Sequence, residues 1–248
     1  MRLLRFARND EFIRNSRIPK RKKAKRIPKT KRIKMTDRYT RSRWLFGDDF
    51  SKLQAAKVLV CGCGGVGGAA IEALARSGVG DIRAIDSDSF DITNQNRQFR
   101  SENVNEPKAA VFERELPNVR GIVGRIDESS INSLGLDDFD VVIDAIDDIK
   151  AKILLAKNAS DKLLCSLGSA KRIDPSKLRY ASIWQTKGDA FGAKFRYELR
   201  KSGFSGDFTC VYSIEEPRCK NLGSCMAVTA SAGLMLASLA IRRILGEF

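Results

Sequence analysis

The chain has 248 residues, 43% of them hydrophobic, enough to bury a full core. It contains no histidine, which excludes Cys/His zinc sites and every acid–base mechanism that depends on an imidazole. The formal charge of +15 suggests a nucleic-acid binder, but residues 1–34 alone hold 15 Lys and Arg against Asp10 and Glu11, so the remainder is nearly neutral.

That basic head has no apolar periodicity and reads as a disordered extension. It reads either as a tail that touches RNA electrostatically or as sequence upstream of a chain that begins at Met35. It lacks the apolar segment of a secretory signal. From Lys57 onward short apolar runs alternate with helical stretches, which predicts an α/β fold with a Rossmann-like, doubly wound, mostly parallel sheet. The expected strands are Val58–Cys61, Ile82–Asp86, Gly121–Ile126, Val141–Asp144 and Leu163–Leu167, with helices at Val66–Ser77, Lys108–Leu116 and Ile149–Ser160. Further strands are expected at Leu178–Trp184 and Thr209–Ile214, around a basic helix near Gly192–Lys201. Cys225–Ile241 carries no charge and reads as a buried closing helix, with peripheral membrane contact as the other reading.

The first strand runs into Gly62-Cys63-Gly64-Gly65-Val66-Gly67, where Gly62, Gly64 and Gly67 fit the G-x-G-x-x-G turn. Such a turn lets backbone N–H groups at a helix start face a phosphate. Asp86 ends the second strand, where a carboxylate can accept from ribose hydroxyls. These features alone fit a NAD-dependent oxidoreductase. The next polar cluster does not: Asp88 and Thr93-Asn94-Gln95-Asn96-Arg97-Gln98 follow, then Pro107-Lys108 opens a helix. Arg97 can fork onto phosphate oxygens, Asn94 can fix a neighbouring oxygen, and Lys108 adds a second cation. Asp144, Asp147 and Asp148 follow the fourth strand and are expected to hold Mg²⁺, with one of them spent on capping the next helix. An anion turn, two cations and a metal carboxylate together describe a triphosphate site.

These motifs, Gly62-x-Gly-Gly-Val-Gly, Asp86-x-Asp, Asn94-x-x-Arg-Gln, Pro107-Lys108 and Asp144-x-x-Asp147, resemble the ATP-binding half of the ubiquitin-activating-enzyme-like superfamily of ThiF, MoeB and HesA proteins. Arg38–Gly47 resembles its N-terminal element, in which Arg41 or Arg43 would reach a partner subunit's ATP. The chain lacks the paired C-x-x-C motifs of MoeB-type carrier activators. Gly168–Pro175, Cys210–Glu215 and Leu222-Gly223-Ser224 through Thr229-Ala230 instead resemble the tRNA threonylcarbamoyladenosine dehydratase branch. The fingerprint reads Gly67-Gly68 where the family commonly has Gly-Ser.

The resemblance implies an ATP-binding domain over residues 35–248 that adenylates the threonyl carboxylate of the modified nucleoside and closes a ring with loss of water. It implies Gly62, Gly64, Gly65 and Gly67 on the phosphates, with Asp86, Asp88 and Asn94 around the nucleotide. Arg97 and Lys108 would act on developing charge, Asp144 on the nucleotide and Asp147 on the metal, with ATP and Mg²⁺ as cofactors. It further implies a homodimer with Arg41 acting across it, tRNA as partner, and a sulfur-acceptor or cysteine-desulfurase-type accessory protein. Activation of a ubiquitin-like sulfur carrier is the alternative. Lys187, Lys194, Arg196, Arg200 and Lys201, interleaved with Phe191, Phe195 and Tyr197, read as an RNA-binding helix or as an ordinary amphipathic one. Cys210, between apolar neighbours, reads as an inert strand thiol, and six cysteines without a signal sequence point to a reducing cytoplasm.

Overall fold

The computed structural model describes residues 36–248; the basic head lies outside them. Two short helices open the body, α1 (Thr40–Phe46) and α2 (Phe50–Ala55). There follow β1 (Lys57–Cys61), α3 (Gly65–Ser77), β2 (Asp81–Asp86), α4 (Lys108–Glu115), β3 (Val119–Val123), β4 (Val141–Asp144), α5 (Ile149–Ala159) and β5 (Leu163–Ser166). The last elements are β6 (Leu178–Ser182), α6 (Ala190–Lys201), β7 (Thr209–Ser213) and α7 (Met226–Ile244).

The seven strands form one sheet in the order β3-β2-β1-β4-β5-β7-β6. All neighbours are parallel except β6, which runs antiparallel to β7 at the edge. The apolar runs are continuous because parallel strands are covered on both faces. Val58, Val60, Ala84 and Ile143 face α3, α4 and α7, whereas Leu59, Ile85, Val142 and Leu163 face the side covered by α5 and α6. Strand order reverses between β1 and β4, which pair from Val58↔Val141 to Cys61↔Asp144. At such a switch point the loops leave in opposite directions and open a crevice at the carboxyl ends.

Three expected elements shift. β3 ends at Val123, not Ile126, because Gly124–Ile126 peels away to form a wall of the crevice. β6 ends at Ser182, whose hydroxyl accepts from Trp184 N–H and turns Ile183–Gln185 into a 3-10 turn. α7 extends past Ile241 to Ile244. α7 has the length and hydropathy of a membrane span, yet Val228, Ala232, Leu236 and Ala240 are buried against the body.

Candidate active site

A cavity of about 520 Å³ opens at the carboxyl ends of β1, β2 and β4. Its floor is the glycine turn. Gly62 has φ +92°, and a Cβ there would meet the Ala145 carbonyl oxygen at 2.7 Å. Gly67 does not line the cavity; its role is contact, since a Cβ would sit 1.7 Å from the Gly62 carbonyl oxygen. The first turn of α3 contains no acidic residue and no side chain caps it, so its N–H groups and the positive end of the helix dipole are left for an anion.

Asp86 fastens this turn. Its carboxylate accepts from Cys63 N–H at 2.6 Å and from Asp88 N–H at 2.8 Å. The adjacent Cys63 thiol is pushed up by burial and by the Asp86 charge, so it stays protonated and inert. Lys108, nearly buried, reaches Asp88 Oδ2 at 3.2 Å. Asn94 accepts from Asp91 N–H with its Oδ1, closing a capping box that leaves its NH₂ group for a ligand. Arg97 folds back onto its own turn, donating to Thr93 O and Asn96 Oδ1 at 2.9 Å each, contacts that a phosphate can replace.

Gly62, Gly64, Gly65, Asp86, Asp88, Asn94, Arg97, Lys108 and Asp147 thus line one cavity. Arg41 lies outside it, exposed on α1, while Arg43 is paired with Asp37 and rests 5.4 Å over the Phe50 ring. Gln98, Arg125 and Thr229 are among the lining residues that carried no assigned role in the sequence. Gln98 is 8% exposed and its Oε1 has no partner among the described residues. Arg125 crosses to Ser87 Oγ at 3.2 Å, and Thr229 arrives from α7 against Gly65. Gln98 stood inside the Asn94-x-x-Arg-Gln motif and Thr229 in the motif from Leu222 through Ala230, whereas Arg125 left no local signal.

The expected trio of metal carboxylates is corrected. Asp144 is fully buried, accepts from Ile146 N–H, and pairs with the equally buried Lys152 at 3.0 Å. Asp148 accepts from Lys150 N–H and caps α5. Only Asp147 is left facing the cavity without such a tie, and among the described residues no group of three or more His, Cys, Asp or Glu side chains is arranged around a metal position. One carboxylate still suits Mg²⁺, which takes most of its remaining ligands from phosphates and water.

Lys152 completes its bonds beneath the cavity wall, donating to Ser166 O at 2.8 Å and to Cys165 Sγ at 3.2 Å. Phe191 and Phe195 of α6 place their rings within 6 Å of the ammonium, at 5.8 and 5.7 Å. Burial by itself would lower its pKa, but the Asp144 charge, aided by Cys165, outweighs that and holds it above the ordinary lysine value. Cys210, adjacent to Cys165 on β7, has its thiol pushed up by burial and by Cys165. Beyond β5, buried Arg172 donates to Gly168 O and Glu215 O and pairs with Asp189, fixing the loop that leads toward β6.

The sequence profile of the ThiF family matches residues 39–247. The tRNA threonylcarbamoyladenosine dehydratase of Bacillus subtilis is 33% identical over 195 residues, 74% of this chain and 77% of that protein. The structure of Escherichia coli TcdA, a tRNA N6-threonylcarbamoyladenosine dehydratase, in complex with AMP superposes with a TM-score of 0.80 at 28% identity, covering 84% of this chain and 94% of TcdA. The same enzyme with ATP gives 0.79 at 30% identity. A sulfur carrier protein adenylyltransferase of Thermus thermophilus is 27% identical over 79% of this chain and 71% of its own length.

Proposed function

Since the chain belongs to the ThiF family, we propose that it uses ATP to dehydrate threonylcarbamoyladenosine in tRNA to the cyclic form. The observation that carries this reading is the joining of the helix-start anion turn with Asn94, Arg97 and Lys108 in one cavity, on a fold shared with TcdA bound to ATP and to AMP. A hydride-transferring enzyme has no use for that cluster.

A threonyl carboxylate oxygen attacks the α-phosphorus and the bond to the β-phosphate breaks, releasing pyrophosphate. The α3 N–H groups, Arg97 and Lys108 face the charge that builds on the phosphate oxygens. Asp147 would hold Mg²⁺, which screens the leaving pyrophosphate when bound. The neighbouring carbamoyl group then attacks the activated carbonyl carbon. AMP leaves with the former carboxylate oxygen and a carbamoyl proton passes to solvent, so the nucleoside loses one water. Ring closure within one nucleoside needs positioning more than a strong base, which suits a chain without histidine.

Nucleoside mass spectrometry of tRNA incubated with the protein and ATP tests this. The threonylcarbamoyladenosine peak is expected to lose the mass of one water only when both are present. Arg97→Ala should slow that conversion by roughly 10²–10³-fold. Pyrophosphate exchange driven by a ubiquitin-like carrier, with no change in the tRNA, would reassign the substrate. Cys210→Ala should leave the rate unchanged, because its thiol is fully buried and protonated.

Exposed Arg41, outside its own chain's cavity, supports a homodimer in which it serves the partner's nucleotide. The six unpaired cysteines support a reducing cytoplasmic location. A sulfur-acceptor or cysteine-desulfurase-type protein is proposed as an accessory partner on the family resemblance, and membrane contact at most as peripheral.

A further inference from the structure

We propose that the outer face of α6 is the track along which the substrate tRNA lays its phosphate backbone, leading away from the reaction cavity; this rests on the tRNA reading above. Of the residues expected to form an RNA helix, the fold removes the ones that look most like base platforms. Phe195 is fully buried, Phe191 faces Lys152, and Arg196 is bonded to Thr186 Oγ1. What remains exposed is Ala190, Ala193, Lys194, Tyr197, Arg200 and Lys201, at the i, i+3, i+4, i+7 spacing of a single helical face.

That face holds three cations and no carboxylate; Glu198 flanks it on one side and Arg196 on the other. Lys194, Arg200 and Lys201 form no ion pair among the described residues. The Arg200 guanidinium carbon lies over the Trp184 ring, 5.0 Å from its centroid, and Tyr197 stands 62% exposed between the cations. A row of cations with one open aromatic face complements a phosphate backbone and an unpaired or terminal base.

Position ties this face to the chemistry. The Asp189 carboxylate caps α6 through Gly192 N–H and also accepts from Gly168 N–H, just beyond the carboxyl end of β5. Phe191, in the first turn, rests on the Lys152 ammonium that anchors Asp144, and the cavity wall Ala145–Asp148 follows directly. The helix therefore starts at the reaction edge of the sheet and its 12 residues run about 18 Å from there. A nucleoside delivered to the cavity brings its flanking strand onto Lys194, Tyr197 and Lys201.

The test uses the full chain with purified tRNA bearing threonylcarbamoyladenosine. Binding is measured across a salt series, alongside tRNA KM, kcat and ATP affinity. Lys194→Ala/Lys201→Ala should weaken tRNA binding about tenfold and flatten the plot of log affinity against log salt by about 1.4, since each contact to a single-strand phosphate contributes about 0.7. Tyr197→Ala should raise tRNA KM without changing that slope. ATP affinity, kcat and melting temperature should not move, as these side chains are exposed. A wild-type protein that dehydrates tRNA while the double variant keeps its affinity and slope overturns the track and leaves this face to an acidic protein. A wild-type protein that neither binds nor dehydrates tRNA overturns the functional reading itself.

Discussion

Lys152→Met is expected to destabilise the fold by about 3–5 kcal/mol, because it leaves the Asp144 carboxylate buried without its counter-ion. Asp144 and Lys152 are both fully inaccessible, and the ammonium spends its hydrogens on Asp144, Ser166 O and Cys165. Urea unfolding gives the measurement. The paired change Asp144→Asn/Lys152→Met should recover most of the loss, since the isosteric amide removes the unpaired buried charge and can still accept from Ile146 N–H. If the single and paired variants unfold alike, the pair is not the source. Because the folded lysine value is raised, its stabilisation is complete below the unfolded value and declines only as pH rises through the folded one. Unfolding near neutral pH should therefore show no trace of this lysine's titration.

Gly67→Ala should remove ATP binding, lowering affinity by about 10²-fold or more by displacing the turn on the scale of an ångström. The new Cβ would lie 1.7 Å from Gly62 O, 2.8 Å from Gly62 C and 3.3 Å from the Ala145 Cβ, so the backbone itself has to move. Equilibrium dialysis with ATP reads the outcome. Gly64→Ala is the informative companion: its Cβ would meet nothing nearer than Gln98 Nε2 at 3.7 Å, so the fold and melting temperature should hold. An unchanged ATP affinity in Gly67→Ala would mean that the turn does not carry the phosphates.

The sheet and most of the cavity were legible in the sequence because each motif follows an apolar run, and parallel strands bring all their carboxyl ends to one edge. Asp144 was misread for a physical reason: its partner Lys152 sits on α5, and nothing in the linear pattern shows that this lysine turns inward under β4 and β5. Two of the α6 aromatics, Phe191 and Phe195, turn inward because their i, i+4 spacing fits the buried face equally well, and only Tyr197 is left exposed. Arg125 and Thr229 reach the cavity only through tertiary placement, one from the loop after an edge strand and the other from the last helix.

That last helix has a bearing on how the protein is made. α7 lies against α3 so closely that a Cβ on Gly233 would meet the Val66 carbonyl oxygen at 2.1 Å, and Thr229 touches the glycine turn itself. On the ribosome, Gly62 therefore emerges more than 160 residues before the segment that backs it. A nascent or truncated chain lacking α7 would show the apolar sheet face around Val60 and Ile143, with its phosphate helix unsupported. Nucleotide competence waits on the synthesis of α7, and chains that have not yet made it carry a hydrophobic mark that chaperones and proteases can recognise.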